Sequence, residues 1–543
     1  MSVPPSPPAD PPLDPPLDRP AGPTTALPPQ SAPSVDEHDD EGMLASLGYK
    51  QELHRGMSGF SNFAVSFSII SILAGCITTY YLAMDAGGPL AINTGWLICG
   101  AFVLCVALAM AEICSVYPTA GGLYWWAGRL ARRNKREWAW FVGWFNFLGE
   151  VAVTASIDYG AALTWSAVWT LATGDALELP QVFVIFAVIL LLHALLNTFG
   201  VNLVKLLSSV SAWWHVVGVA VIVVALWVAP IKHQSLGWTF THYVNNTGFE
   251  GSGGLFGLPI YAFLVGLLMA QYTLTGYDAS AHVAEETRNA SVEAPKGIVR
   301  SVWVSIIAGS VLLVSVTAAI QDYDTARKAA AANGLPPAQI FLDALGERGG
   351  LALVVICGVA QFFCGMASVT ANSRMSYAFS RDNALPGSRL WARINPRTGT
   401  PTNSIWLCAG LSFVLTIPAL WNQVAFFAVT SVAVIGLYIA YATPILLRRL
   451  DPEFRQGRWN LGRWSAPIGW IAVVWVGFIV VLFLLPQYAP GTFGDPTFNF
   501  APITVLAVGL FALGSWVVAG GRHFMRDVPA GHDTKPADEL LLD

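Results

Sequence analysis

The chain has 543 residues, of which 54% are hydrophobic and only 12% charged, with 21 Trp and 29 Phe. Soluble domains carry roughly a quarter charged residues, so this composition excludes the string of about three soluble domains that length alone would suggest and indicates one integral membrane domain. The net charge of −5 decides little, because in such a chain the placement of charge matters more than its sum.

Residues 1–42 are rich in Pro and Asp and end in VDEHDDEG. They lack the basic stretch and short apolar core of a signal peptide. They cannot bury enough apolar area to offset ordering, so they are predicted to be a disordered tail. The membrane domain then covers 43–525, followed by a second tail at 526–543. A helix needs about 20 mainly apolar residues to cross the hydrocarbon layer. Twelve runs qualify, near 59–84, 90–113, 137–168, 180–199, 203–229, 256–285, 298–320, 350–379, 403–421, 423–447, 466–486 and 501–521. Twelve is even, so both termini share a side. With that side cytoplasmic, inside segments hold 25 of the 29 Lys and Arg; only Lys232, Arg327, Lys328 and Arg348 lie outside. The positive-inside rule therefore predicts cytoplasmic termini in a plasma (inner) membrane protein.

The first run, FSNFAVSFSIISILAGCITTYYLAMDAGGP, carries Ser71, Gly75, Thr78 and Thr79 at its middle. The sixth, LFGLPIYAFLVGLLMAQYTLTGYDASAHVAEE, carries Thr273, Thr275, Gly276 and Asp278. Gly lowers helix propensity by about 1 kcal/mol relative to Ala, and unwinding within a membrane is tolerated only where the backbone lines a cavity. The two runs lead two five-helix halves, and corresponding interrupted helices point to a transporter's midplane site. Taken singly, Gly75 or Gly276 can equally serve close helix packing; together, with their polar neighbours, they predict two broken helices.

The fifth run, VKLLSSVSAWWHVVGVAVIVV, holds His215 deep among apolar residues. A charge there costs about 2.5–3.5 kcal/mol, so an ionisable group is a functional candidate, and His titrates near neutral pH. It is either a proton-responsive site or a neutral, hydrogen-bonded packing residue. His193, Glu150 and Asp158 are secondary candidates for the same role. The seven Cys fall in or beside apolar runs without a CxxC pair, which reads as buried small residues rather than disulfides or metal ligands.

Four motifs carry a resemblance. AEICSVYPTAGGLYWWAGRLA (111–131), LNTFGVN (196–202), GYDASAHVAEETRNASVEAP (276–295) and SRMSYAFSRDNALP (373–386) stand in this order. They resemble the AE-x-x-S-x-x-P-x-x-GG-x-Y, N-x-x-G, G-[FY]-D-x5-AEE-x2-N and R-x3-A-x2-RD-x2-LP signatures of amino acid–polyamine–organocation permeases. SIISILAGCITTYYLAMDAGGP is most similar to the amino acid/choline branch, whose members carry γ-aminobutyrate, choline or other amino acids. The resemblance covers about residues 45–520. Two departures stand out. Leu73–Ile77 occupies the place of the family's G-[ST]-G-[IV]-F, and Asn289-Ala290 replaces the usual Asn-Pro.

The resemblance implies an all-α integral membrane fold. It is the LeuT-type inverted repeat of five plus five helices, with helices 1 and 6 broken and two helices appended. A zwitterion in a dry pocket needs both charges answered. N–H groups at a half-helix start can hold a carboxylate, a role assigned to Ala74, Gly75, Cys76 and Ile77. Carbonyls at a half-helix end can hold an ammonium, a role assigned to Ile72, Leu73, Thr273, Leu274 and Thr275. Asp278 either adds a negative charge for substrate or proton or caps the second half of helix six. Tyr272 is either an aromatic lid by family position or a packing residue. Glu285 and Glu286 are assigned to an inner gate with Glu112 and Arg381, against the alternative of lone surface charges. Many family members place a Lys where Gly200 plus fifteen reaches His215, which supports a proton site there. Ser368 and Thr370 can face His215, or a sodium ion in its place.

The expected function is import of a small amino acid or amine, with γ-aminobutyrate the best guess, by proton symport and alternating access. An exchanger of the same fold is the alternative. A sensor is the more distant one, and it would want an output domain. No esterase elbow, HExxH, Walker A or paired-carboxylate metal site is present in the sequence, so no enzyme activity, cofactor or metal is expected. Expected partners are the substrate, a proton rather than sodium, and the bilayer. The basic residues are explained by topology and not by nucleic acid.

Overall fold

The computed structural model describes residues 40–525 apart from 54, 200, 422, 423, 494 and 496. Most of both predicted tails lies outside these residues. The first tail's boundary moves inward, because Asp40–Ser46 is helical. The Asp40 carboxylate accepts hydrogen bonds from the N–H groups of Asn289 and Ala290 at 2.7 and 3.0 Å. An anion at those exposed donors stabilises a helix start, so Asp40 is ordered by the helix it caps.

Among the described residues there are helices and two isolated β-bridges, with no strand. Eleven helices are long and apolar enough to cross a membrane. With one shorter apolar helix they are, in chain order, α1 Gly59–Thr78, α2 Leu90–Val116, α3 Lys135–Thr173, α4 Leu179–Phe199, α5 Leu206–Val228 and α6 Pro259–Thr273. Then come α7 Ala290–Ala318, α8 Pro336–Arg381, α9 Thr402–Leu420, α10 Ala428–Leu450, α11 Gly462–Leu484 and α12 Ala501–Val518. The predicted sixth span is the short one because it stops at its break. α8 exceeds its predicted span because a second helix precedes it, across Gly346 at φ 73° and ψ −179°.

Equivalent members of the two halves lie against each other. α2 packs on α7, α3 on α8 and α4 on α9, and each part of α1 packs on the opposite part of the sixth span. Helices five apart in a serial bundle run in opposite directions, so these pairings fit an inverted repeat. Burial separates core from rim. The apolar windows of α1 and α3 are 83% buried inside the protein and that of α12 only 11%, which leaves α12 facing lipid. α3 and α10 approach closely through Gly149 and Gly436, where a Cβ on Gly436 would stand 3.1 Å from the Gly149 Cα. Small residues at such a crossing let backbones meet, and this one seats the next residue, Glu150, in the bundle interior.

Candidate functional site: two broken helices around one cavity

α1 breaks at Ser71, which adopts the left-handed conformation at φ 32° and ψ 82°. Its N–H closes the lower part on Phe67 O, and the upper part restarts with Ala74 and Gly75 N–H on Ser71 O. Ile72 and Leu73 are the first residues of the restarted helix. A helix start leaves its first donors open. The break therefore lies earlier than the sequence suggested. Ala74 and Gly75 N–H are already used, and Cys76 and Ile77 lie inside helix Ile72–Thr78. Ile72 and Leu73 offer donors there, not the carbonyls assigned to them. Gly75 is a packing glycine, since a Cβ would stand 2.7 Å from the Thr273 side chain.

The sixth span unwinds from Leu274 to Asp278 and resumes as Ala279–His282 and Ala284–Glu286. Gly276 takes φ +93°, and a Cβ there would also strike Ile69. Thr273 and Thr275 hydroxyls bond back to Met269 and Gln271 carbonyls at 2.8 and 2.7 Å. Tyr272 and Thr273 C=O stay open among the described residues, whereas Leu274 C=O takes the Tyr438 hydroxyl at 3.2 Å.

The breaks share a small cavity. Ile69, Ile70, Ala74, Gly75 and Thr78 of α1 line it, with Tyr272, Thr273 and Thr275 of the sixth span. Val153 and Ile157 of α3 and Gln361 and Cys364 of α8 complete it. The Tyr272 ring lines the cavity while its hydroxyl bonds Ser156 at 2.7 Å. No lining side chain carries a formal charge. Polar recognition there falls to backbone ends, hydroxyls and Gln361, whose Oε1 is buried without a partner.

The profile of the amino acid permease family matches residues 57–508. This chain belongs to the amino acid permease family. Among its relatives, the rice (Oryza sativa subsp. japonica) protein named amino-acid permease BAT1 homolog is 42% identical over 500 residues, covering 89% of this chain and 94% of its own. Amino-acid permease BAT1 of Arabidopsis thaliana is 41% identical over 498 residues, with the same coverage. The GABA-specific permease of Saccharomyces cerevisiae is 30% identical over 494 residues, covering 89% of this chain and 83% of its own.

In this permease the residues assigned to one inner gate form separate groups at the Arg-rich end. Arg381 makes a two-pronged pair with Glu285 at 3.0 and 3.1 Å, and Glu285 Oε1 also accepts Ala120 N–H at 3.0 Å. Glu286 pairs instead with Arg374 at 2.8 Å. The N-terminal segment closes over this group. Tyr49 places its ring 4.0 Å under the Arg381 guanidinium and donates its hydroxyl to Asp382, which Tyr124 also bonds. Glu112 does not join this group. It accepts from Ser465 at 2.6 Å and lies 3.5 Å from Arg449 and 3.8 Å from Arg448.

The expected His215 group also separates. His215 Nδ1–H donates to Ser211 O at 2.7 Å, and Nε2 lies 2.6 Å from the Ser71 hydroxyl. Ser368 bonds Thr154 of α3 at 2.8 Å and Thr370 bonds Asn197 of α4 at 2.6 Å. Neither bonds His215: Ser368 faces α3 and Thr370 faces α4. His193 pairs with Asp158 at 3.0 Å. Asp278 makes no helix cap; its Oδ1 accepts the Tyr441 hydroxyl at 2.7 Å. A grouping the sequence did not suggest also stands here: Glu150, Asp278 and His282, all buried, bring one side-chain N or O atom each within 4.8 Å of one another. Sequence reading missed this because Glu150 lies on α3, far along the chain from the other two.

Proposed function

We propose that this permease imports a small amino acid or amine, γ-aminobutyrate first, across the plasma (inner) membrane by proton symport and alternating access, with both termini cytoplasmic. The observation that carries the reading is the pair of broken helices meeting at one uncharged cavity. The N–H groups of Ile72 and Leu73 at a helix start suit a carboxylate, and the C=O groups of Tyr272 and Thr273 at a helix end suit an ammonium. The half-helix dipoles add to both interactions. The 30% identity to a GABA-specific permease supports the substrate. The asymmetry of Lys and Arg supports the orientation.

The test is uptake by purified protein in empty liposomes under an inside-alkaline pH gradient, with labelled γ-aminobutyrate against amino acids and choline. Concentrative uptake that a protonophore abolishes is the expected result. Uptake only into preloaded vesicles would replace symport with exchange.

A further inference from the structure

A buried group of two acids and one imidazole lies one helical turn from the cavity. Glu150 precedes the lining residue Val153 on α3, and Asp278 ends the unwound segment that begins just before Thr275. His282 Nδ1 is 2.9 Å from Ala120 O. A carbonyl only accepts, so Nδ1 carries a proton and Nε2 is the ring's variable position. That Nε2 faces Asp278 Oδ2 at 3.4 Å, Glu150 Oε1 at 3.9 Å and the Asn146 amide nitrogen at 3.4 Å. Asp278 Oδ2 has no hydrogen-bond partner, and Asp278 and His282 are both fully buried.

Among the described residues no Lys or Arg pairs with Glu150 or Asp278. The other titratable groups around the cluster are Tyr277 of the unwound segment, Tyr438 and Tyr441 of α10, and Cys408 of α9, hydroxyls and a thiol that carry no positive charge in either protonation state. Two carboxylates facing a lone pair, without a cation, would leave two uncompensated negative charges out of water. Such charges neutralise rather than persist. The cluster must therefore hold at least one proton, and a second can enter at Nε2 or at a carboxylate oxygen. We infer that Glu150, Asp278 and His282 together form the proton-carrying site of this permease, which rests on the symport reading above. The proton comes from bulk water on the loading side and returns to bulk water on the other, so no further reactant is needed.

The position also supplies a link to the gate. The carbonyl of Ala120 holds His282, and the N–H of the same residue holds Glu285, the partner of Arg381. Protonation that moves His282 therefore bears on the turn that carries a gate contact. His215 is built differently, since its two nitrogens meet a carbonyl and a hydroxyl.

Two assays on one set of liposomes test this: pH-gradient-driven accumulation of labelled γ-aminobutyrate, and its exchange against unlabelled γ-aminobutyrate at equal pH. Glu150→Gln and His282→Gln should each lower accumulation by about tenfold or more while exchange falls far less. The pH dependence of exchange between about 5 and 8 should flatten in both. Either variant accumulating like wild type would overturn the site. So would parallel loss of both activities in protein of unchanged melting temperature, which marks a structural role. Should the variants not fold, wild type alone decides: adding γ-aminobutyrate to it in weakly buffered detergent should draw protons from solution, and no uptake would overturn the site. Tight Mn²⁺ binding by wild type that Glu150→Gln removes would make it a metal site instead. Exchange without accumulation in wild type would defeat the symport reading itself, and the site with it.

Discussion

The two breaks are held by different means. In α1 the left-handed residue is a serine, whose conformation costs about 1–2 kcal/mol, and a hydroxyl–imidazole contact to His215 offsets that cost. In the sixth span the left-handed residue is Gly276, which carries no such penalty, so the main chain holds itself. Beyond the break, however, the sixth span is anchored by charge. Its last residues, Glu285 and Glu286, pair with Arg381 and Arg374 on α8. No residue of α1 appears in an ion pair among the described residues. One break is thus fixed locally by a neighbouring helix, while the segment beyond the other is tied to α8 by two ion pairs. That is the asymmetry expected if the far half of the sixth span is the moving part.

The sharpest way to break that contrast is to release the anchor. Arg381→Ala leaves Glu285 buried with only the Ala120 N–H, and breaking a buried pair costs about 3–5 kcal/mol. Transport should be largely lost, and Cys364 in the cavity wall should become open to an impermeant maleimide from the Arg-rich side. Protection of Cys364 equal to wild type would remove the pair from the gate. Next comes Gly276→Ala, which combines about 1–2 kcal/mol of left-handed strain with about 1–3 kcal/mol of overpacking on Ile69. Uptake and melting temperature should both fall. Adding Ile69→Ala should restore only part, because it relieves the clash and not the dihedral angle; full rescue would mean the angle is not needed.

His215→Ala is milder. It removes one hydrogen bond from Ser71, worth about 0.5–1.5 kcal/mol, and loosens the α1 break. Substrate affinity should weaken while the dependence of uptake on the pH gradient persists. Loss of that dependence would return the proton site to His215 and sink the Glu150–Asp278–His282 assignment.

The comparison also shows what the sequence could carry. The twelve apolar runs, the charge asymmetry and the two interrupted helices all follow from composition along the chain, and the break at Gly276 follows from residue type. The break at Ser71 did not, because glycine is the default left-handed residue and Gly75 stood close by. Ser71 takes its conformation with help from His215, a contact between residues far apart in the chain. The Glu150 cluster was hidden for the same reason, and so was Gln361, whose amide within the apolar stretch 351–363 of α8 was the only local sign. Pairing of Glu286 with Arg374 rather than Arg381 is likewise a matter of level, since the two arginines share a face of α8 two turns apart and Glu285 already holds Arg381.

The smallest effect tests whether the N-terminal segment belongs to the moving half. It touches the far part of the sixth span directly: Gly56 and Met57 N–H bond Glu286 O at 3.0 and 2.8 Å, and Gln51 bonds Glu285 O at 3.0 Å. Tyr49→Phe deletes the hydroxyl bonds to Asp382 but keeps the ring under Arg381. Tyr124 still serves Asp382, so the cost should be only about 0.5–1.5 kcal/mol. By the tenfold-per-1.4 kcal/mol relation, Cys364 alkylation should rise about twofold to tenfold. Tyr49→Ala also removes the ring and should raise alkylation further, toward Arg381→Ala. If both variants label like wild type, the segment merely rests on a gate that closes without it. If they grade as expected, release of the segment is one step in opening the sixth span, with no counterpart at α1.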